Sequence, residues 1–264
     1  MLHQGILIER ARDHLIQVKF LKNKVISGVK CTDCPIHHRA VCSRCDTEEL
    51  LRLESMKKYR SFKAGETIFW RGDELTYVAS VVTGVASLNK GLEDGRTQMV
   101  GLLLPSDFIG HPGRTRIEFD VVASSDVTLC CFDKAPFQQL LNEIPHISQR
   151  MIELAMDELD AARDWMLLLG RKSAGEKIAT FVEMVVRRQN FQRRDGIKSD
   201  LVLPLSRGDI ANYLGLTLET VSRQIGRLKS EGIIEFEDKR RFRVIDMERL
   251  QQATGDDDDG SIIF

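Results

Sequence analysis

The chain has 264 residues, enough for two domains, and 42% of them are hydrophobic, which supplies a sizeable core. Its formal net charge is −1, which excludes a protein that binds polyanions over its whole surface, so any nucleic-acid site must be a local patch. No apolar run reaches the roughly 18 residues of a membrane span, and the N-terminal segment lacks the features of a signal peptide. We therefore expect a cytoplasmic protein that has no membrane partner.

After an extension over residues 1–30, the stretch CTDCPIHHRAVCSRC places Cys31, Cys34, Cys42 and Cys45 within fifteen residues. In a reducing compartment such a cluster favours metal ligands or redox groups over disulfides. Two CxxC pairs separated by seven residues are typical of a structural zinc site, although this gap is short for a zinc ribbon. The neighbouring pair Cys130–Cys131 has no role in the zinc interpretation.

Residues 47–62, TEELLRLESMKKYRSF, have apolar positions at three-four spacing and predict a helix. From about residue 62 to 133, short β-rich runs such as TYVASVVTGVASLN are each closed by Gly, Asp, Pro or Ser. This punctuation predicts an antiparallel barrel or roll. In the predicted strand DVTLCCF, neighbouring side chains point to opposite faces, so Cys130 and Cys131 are expected to meet different surroundings.

Residues 145–172 predict a helix of roughly 40 Å that begins at Pro145. A narrow stripe with two alanines favours a close contact with a second copy of the chain, and the alternative is an amphipathic helix packed on its own barrel. The predicted interface consists of Met151, Ala155, Glu158, Leu159, Ala162, Trp165, Met166 and Leu169.

The stretch LSRGDIANYLGLTLETVSRQIGRLKSEG predicts two short helices. Ser206 and Asp209 form a capping box for the first, Gly215 provides the turn, and Thr217 caps the second, which runs to about Ser230. Two short helices joined by a tight turn with glycine are typical of a helix-turn-helix. Its predicted core is Ile210, Leu214, Leu216, Val221 and Ile225.

The start of the second helix carries groups suited to reading DNA. Arg223 can bond to guanine in the major groove, Glu219 can accept from cytosine, and Ser222 faces the same way. The alternative is a charged, solvated face on a structural helix pair. The rest of the predicted DNA-binding set, mostly phosphate contacts, is Thr217, Arg207, Arg227 and Lys229, with Lys239, Arg240, Arg241 and Arg243 of the following hairpin.

The order of β-roll, long helix and winged helix-turn-helix resembles the CRP/FNR transcription regulators over residues 31–252. FKAGETIFWRGDE resembles a turn of the family's roll, RGDIANYLGLTLETVSR resembles its DNA-binding signature, and CTDCPIHHRAVC with LLLPSDFIG resembles the FnrL/FnrN branch of anaerobic regulators. The resemblance implies an α+β protein with an N-terminal antiparallel β-roll of the cyclic-nucleotide-binding kind. Its implied parts are an N-terminal extension over 1–30, the cysteine segment and roll over 31–144, a dimerisation helix over 145–172, a winged helix-turn-helix over 173–254 and an acidic tail over 255–264.

The resemblance also implies a function, which is that of an oxygen-responsive regulator and not of an enzyme. As a homodimer it would bind double-stranded DNA at TTGAT-like inverted repeats, contact RNA polymerase and control anaerobic gene expression. A [4Fe-4S] cluster would be held by Cys31, Cys34, Cys42 and Cys130, with Cys45 and Cys131 as alternates. The second interpretation is a cluster-free or zinc-structured constitutive regulator of the same fold.

A cyclic nucleotide is not expected in the roll. His111 follows Gly110 where the nucleotide-binding members of the family have Glu, and no Arg immediately precedes the VVAS segment. An anionic phosphate would therefore lack its main charge-assisted partner, and Arg114 and Arg116 are the remaining candidates.

Overall fold

The computed structural model describes residues 29–191 and 201–256, with the side chain of residue 191 left out. Most of the predicted N-terminal extension and acidic tail therefore lies outside the described residues. Within the described ranges, no helix combines the length and the hydropathy that a membrane crossing requires.

The cysteine segment folds as a series of turns. It begins with a 3-10 turn at Cys31–Asp33 and leads into helix α1, Thr47–Met56. Asp46 and Glu49 form a capping box that fixes the start of α1. The helix predicted over residues 47–62 is confirmed only as far as Met56, because the remainder pairs with another strand as β1, Lys58–Phe62.

Eight strands form two four-stranded antiparallel sheets, as predicted for a roll. The first sheet has the order β1-β8-β3-β6 and the second has the order β2-β7-β4-β5. The strands after β1 are β2 Thr67–Phe69, β3 Tyr77–Thr83, β4 Ala86–Gly91, β5 Thr97–Leu103, β6 Phe108–Ile109, β7 Asp120–Ala123 and β8 Val127–Asp133. Gly84 has a φ of 83° in the β3–β4 turn, where an added Cβ would lie 2.1 Å from the backbone oxygen of Asp126, so only glycine fits there.

Three helices follow the roll: α2 Lys134–Glu143, α3 Pro145–Arg171 and α4 Ala174–Phe191. The predicted long helix is confirmed, since α3 has 27 residues and Pro145 lies in its first turn, where a missing N–H is harmless. Its first turns pack against the core of the roll through Ile147, while Leu168 near its other end belongs to the core of the C-terminal unit.

The C-terminal unit is a winged helix-turn-helix, as predicted. Helix α4 is its first element. The further elements are β9 Leu201–Val202, α5 Arg207–Leu214, α6 Leu218–Ser230, β10 Ile234–Phe236, β11 Arg241–Val244 and α7 Met247–Gln252. Ser206 and Asp209 make the predicted capping box, Gly215 is left-handed with a φ of 63°, and Thr217 caps α6. The predicted core residues Ile210, Leu214, Val221 and Ile225 are buried, and Leu216 packs against them.

The C-terminal unit packs against the roll of its own chain. Gln98 Nε2 donates to Asn212 O at 2.7 Å, and Met99 N donates to Asn212 Oδ1 at 3.3 Å. Arg188 of α4 pairs with Asp107 of the roll at 3.2 Å. Since β5 is an edge strand of its sheet, α5 covers part of that edge.

Candidate thiol cluster and nucleic-acid interface

The thiol cluster consists of Cys31, Cys34 and Cys42 of the cysteine segment and Cys130 of strand β8, which pack into one core. Burial raises the pKa of Cys130, and the neighbouring charges of Cys34, Cys31 and Cys42 raise it further. Burial likewise raises the pKa of Cys42 to about 12, with contributions from Cys34, Cys31 and Cys45. Thiolates in this group would therefore repel one another unless a cation bound them.

The two cysteines of β8 lie on opposite faces of the strand, as predicted. Cys130 is paired in register with Tyr59 and Ser80, on the face that the segment thiols approach. Burial raises the pKa of Cys131 to about 12, and the charges acting on it are those of Arg60 and Asp133 instead.

Cys45 lies at the edge of the thiol cluster. Burial raises its pKa to about 12, and the next contributions come from Glu49, Asp46 and Cys31. Within the described ranges, no three His, Cys, Asp or Glu side chains are placed to hold one metal ion. A single zinc ion needs its sulfur ligands at about 2.3 Å. An iron–sulfur cube, which binds each thiolate at a different corner, holds its ligands farther apart.

Two buried polar atoms close to this region have no hydrogen-bond partner among the described residues: His37 Nε2 in the cysteine segment and Ser80 Oγ opposite Cys130. Unsatisfied buried polar atoms cost free energy, and a sulfur-rich group beside the Ser80 hydroxyl would accept its hydrogen. Both the donor set and these two atoms are consistent with a bound iron–sulfur cluster.

The cysteine segment is attached to the long helix. Arg150 Nη2 of α3 donates to Arg39 O at 2.9 Å, and Arg44 of the segment pairs with Glu153 at 2.7 Å. Arg150 also pairs with Glu153 at 3.0 Å. The backbone of the segment is thus held by the same turn of α3 that contains Ile152.

The predicted interface residues of α3 divide into two sets. Met151, Trp165 and Leu169 pack on the cores of their own chain, and the Trp165 ring stacks on Tyr213 at 3.9 Å. Ala155, Glu158, Leu159, Ala162 and Met166 are exposed. The exposed apolar side chains form a stripe that is turned by about one residue from the predicted one: Ile152, Met156, Leu159, Met166 and Leu167. The predicted interface omitted Ile152, Met156 and Leu167, although Ile152 and Met156 stand at i and i+4 before Leu159 at i+7.

The predicted base-reading residues lie on the outer side of α6. Glu219 and Arg223 are exposed and Ser222 is half-buried. The pKa of Glu219 is lowered by its own backbone N–H and by the Thr217 hydroxyl, which keeps the carboxylate ionised as an acceptor. Leu218, the first residue of α6, is also exposed beside them.

A basic cleft of about 400 Å³ lies between α6 and the wing hairpin formed by β10 and β11. Three predicted phosphate residues, Arg207, Lys229 and Lys239, line it together with Asp238. The guanidinium of Arg227 is already paired with Glu231 at 2.7 Å. In the hairpin, Arg241 pairs with Asp238 and Arg243 pairs with Glu235.

In the roll, the two candidate phosphate arginines have protein partners. Arg114 pairs with Glu118 at 3.3 Å and Arg116 donates to Gly72 O at 2.7 Å. The expectation that the roll takes no cyclic nucleotide stays a prediction.

Comparison with known proteins agrees with this architecture. Residues 59–143 match the model of the cyclic nucleotide-binding domain, and residues 176–253 match that of the Crp-like helix-turn-helix domain. The chain is 53% identical to the transcriptional activator protein FnrL of Cereibacter sphaeroides, over 88% of this chain and 95% of that protein. It is 44% identical to the nitrogen fixation regulation protein FixK of Bradyrhizobium diazoefficiens, over 79% and 87%.

Among solved structures, FixK2 from Bradyrhizobium japonicum superposes with a TM-score of 0.68 at 32% identity, over 75% of this chain and 96% of that one. The β-roll, the long helix and the winged helix-turn-helix define a transcription regulator that binds DNA and dimerises. The chain belongs to the CRP/FNR family, as a regulator of the FNR type.

Proposed function

We propose that the protein is an oxygen-responsive transcription activator that holds a [4Fe-4S] cluster on Cys31, Cys34, Cys42 and Cys130. In this proposal the homodimer binds TTGAT-like inverted repeats, contacts RNA polymerase and controls anaerobic gene expression. The observation that carries the proposal is that three segment thiols pack into one core with a fourth thiol of β8 and act on its charge. The name of the FnrL relative supports the activator part.

When bound, the cluster supplies the group that reacts with dioxygen. Residues of the chain couple the cluster to helix α3. Because three thiols belong to the segment and Cys130 belongs to the roll, shared ligation fixes the segment against β8. The segment in turn holds α3 through Arg39 O and Arg44. When the segment is released, Arg150 and Glu153 lose these partners beside Ile152, at the start of the exposed stripe.

Dimerisation through α3 then controls DNA binding. A symmetric dimer binds two half-sites about 34 Å apart. A monomer binds only one half-site and loses the affinity that two linked subunits gain. The exposed stripe of α3 supplies the apolar area that such a contact requires.

The test is an absorbance spectrum of anaerobically purified protein with iron and sulfide analysis. We expect a broad visible band, about four iron atoms per chain and bleaching in air. Sedimentation should show a dimer before bleaching and mostly monomer afterwards. A colourless protein that binds zinc and keeps its DNA affinity in air would instead support the constitutive alternative. An unchanged mass after bleaching would contradict the dimerisation switch.

A further inference from the structure

Lys57, between α1 and β1, is a buried lysine directed at the thiol cluster. Its side chain is 9% exposed, and its ammonium donates to Val29 O and, at 3.6 Å, to Cys31 Sγ. The same ammonium lies 5.6 Å from the centre of the Tyr59 ring. Tyr59 is in turn the cross-strand partner of Cys130.

A buried ammonium is costly unless an anion compensates it. The one acidic partner with which Lys57 forms an ion pair among the described residues is Glu54, at the long distance of 3.9 Å. The Glu54 carboxylate is also engaged elsewhere, since it accepts a hydrogen bond from Cys31 N at 2.8 Å. This leaves much of the charge of Lys57 to be balanced by sulfur.

The electrostatics at Cys31 agree with this geometry. Burial raises the pKa of Cys31, and the opposing effect of Lys57 is larger than the added effect of Glu54. Lys57 also lowers the pKa of Cys34, against the larger effect of burial. The positive charge therefore acts on two of the proposed ligands.

We propose that Lys57 is the counter-cation of the thiol cluster. It positions Cys31 through an N–H···S bond and raises the reduction potential of the iron–sulfur cluster. The statement about potential rests on the proposed function. A fixed positive charge beside a cluster stabilises the more negative, reduced form, and hydrogen bonds to cluster sulfurs act in the same direction. Glu54 acts in the opposite direction.

A merely structural role for Lys57 would be to tether Val29 O. Two substitutions separate the roles, because Lys57→Gln keeps a hydrogen-bond donor without charge, whereas Lys57→Arg keeps the charge. Lys58→Gln is the matched control, since the neighbouring Lys58 has a side chain that is 59% exposed and pairs with Asp133. Glu54→Gln is the reciprocal variant, because its amide oxygen can still accept from Cys31 N.

The midpoint potential of anaerobically reconstituted protein is measured by titration with dithionite, together with iron content. We expect a lower potential in Lys57→Gln, a potential near that of the unsubstituted protein in Lys57→Arg and Lys58→Gln, and a higher potential in Glu54→Gln. Equal potentials in Lys57→Gln and the unsubstituted protein at equal iron content overturn the proposal. If Lys57→Gln holds no iron, the Glu54→Gln result decides it.

The contact itself is measured on cluster-free protein, which separates this inference from the proposed function. The rate at which iodoacetamide alkylates Cys31 is followed by mass spectrometry. Because the Lys57 ammonium donates to Cys31 Sγ at 3.6 Å, its positive charge favours the reactive thiolate. We therefore expect slower alkylation in Lys57→Gln and an unchanged rate in Lys57→Arg. Equal rates in all variants would show that Lys57 does not act on Cys31. Failure to form a cluster with these rate differences intact would count against the proposed function alone.

Discussion

At the scale of single residues, strand geometry assigns different roles to the two neighbouring cysteines of β8. Cys130 lies opposite Tyr59 and Ser80 and is affected by the segment thiols. Cys131 lies opposite Lys58 and Ala79 on the other face. The alternation of faces is predictable from sequence alone. Which face meets the segment depends on packing between residues about a hundred positions apart, and only the family resemblance supplied it.

Serine substitutions at these two positions test the assignment. We expect Cys130→Ser to lose the cluster, because one iron is left without its thiolate, and Cys131→Ser to retain it. Each buried hydroxyl should cost about 1–3 kcal/mol in the free energy of unfolding of the cluster-free protein if it finds no partner. Iron analysis and urea unfolding measure both effects. Iron retained in Cys130→Ser but lost in Cys131→Ser would reverse the assignment.

Ser80 is another residue that the sequence analysis missed, because nothing local distinguishes it from other strand serines. Its unpaired Oγ lies opposite Cys130. We expect Ser80→Ala to leave the cluster-free protein as stable as before or more stable, since a buried unsatisfied hydroxyl is removed. With the cluster bound, the loss of the O–H···S bond should lower the reduction potential. Calorimetry of the cluster-free protein and a redox titration check the two expectations, and a destabilised cluster-free protein would show that the hydroxyl already has a partner.

The base-reading residues of α6 make a prediction that separates specificity from affinity. Arg223→Ala should cost about 1–3 kcal/mol per half-site and relax the preference at one base pair. Lys229→Ala should weaken binding to all sequences alike and lower the salt slope by about one per subunit. Binding to a TTGAT inverted repeat, to single-base variants and over a salt series measures both. Equal loss on specific and random DNA for Arg223→Ala would mean that this position does not read bases.

At the scale of elements, local signals were the most informative. In the helix-turn-helix, local residues alone predicted where both helices begin and where the first one ends. These residues are the capping box of α5, Gly215, which is left-handed in the structure, and the cap Thr217. The end of α1 was not predictable in the same way. Residues 58–62 have a helical spacing of apolar positions, but pairing with β8 makes them a strand. Tertiary pairing overrides local periodicity in such short segments.

The face of α3 shows the limit of periodicity in another form. The pattern predicts a stripe, but Met151, Trp165 and Leu169 are used by the cores of the same chain. Only the folded structure shows that the stripe left exposed is turned by about one residue. An apolar residue of a long helix can pack on its own chain or on a second copy, and the sequence pattern does not distinguish the two contacts.

Leu159 lies in the middle of the exposed stripe and is 42% exposed. We expect Leu159→Glu to leave the cluster-loaded protein monomeric, because a carboxylate in an apolar helix contact is desolvated without a partner. Leu92→Glu is the matched control, since Leu92 is 58% exposed and follows strand β4 of the roll. Sedimentation of both variants under anaerobic conditions decides the matter. A dimeric Leu159→Glu protein would place the interface on another face.

At the scale of the whole molecule, buried charge joins parts that are distant in sequence. Asp107 of the roll pairs with Arg188 of α4, 81 residues later, and accepts from Leu104 N at 2.8 Å. Burial raises the pKa of Asp107, while Arg188, the Leu104 N–H and Arg39 of the cysteine segment act against that shift. The carboxylate therefore faces charges from the cysteine segment and from the C-terminal unit at once. No local pattern in the sequence predicts such a meeting.

Removal of the Asp107 charge should loosen the C-terminal unit from the roll. The Arg188 side chain is only 16% exposed, so Asp107→Asn leaves a buried cation without its anion, which costs about 3–5 kcal/mol in the free energy of unfolding. Asp126→Asn is the control, because Asp126 and Lys63 have side chains that are 62% and 74% exposed, and such pairs contribute at most about 1 kcal/mol.

Trp165, stacked on Tyr213, reports the docking of the C-terminal unit by its fluorescence in a Trp70→Phe background. We expect Asp107→Asn to unfold at lower urea with an early red shift of Trp165, and Arg188→Met in the same chain to restore part of the loss. Equal midpoints for Asp107→Asn and Asp126→Asn would show that this ion pair does not hold the two units together.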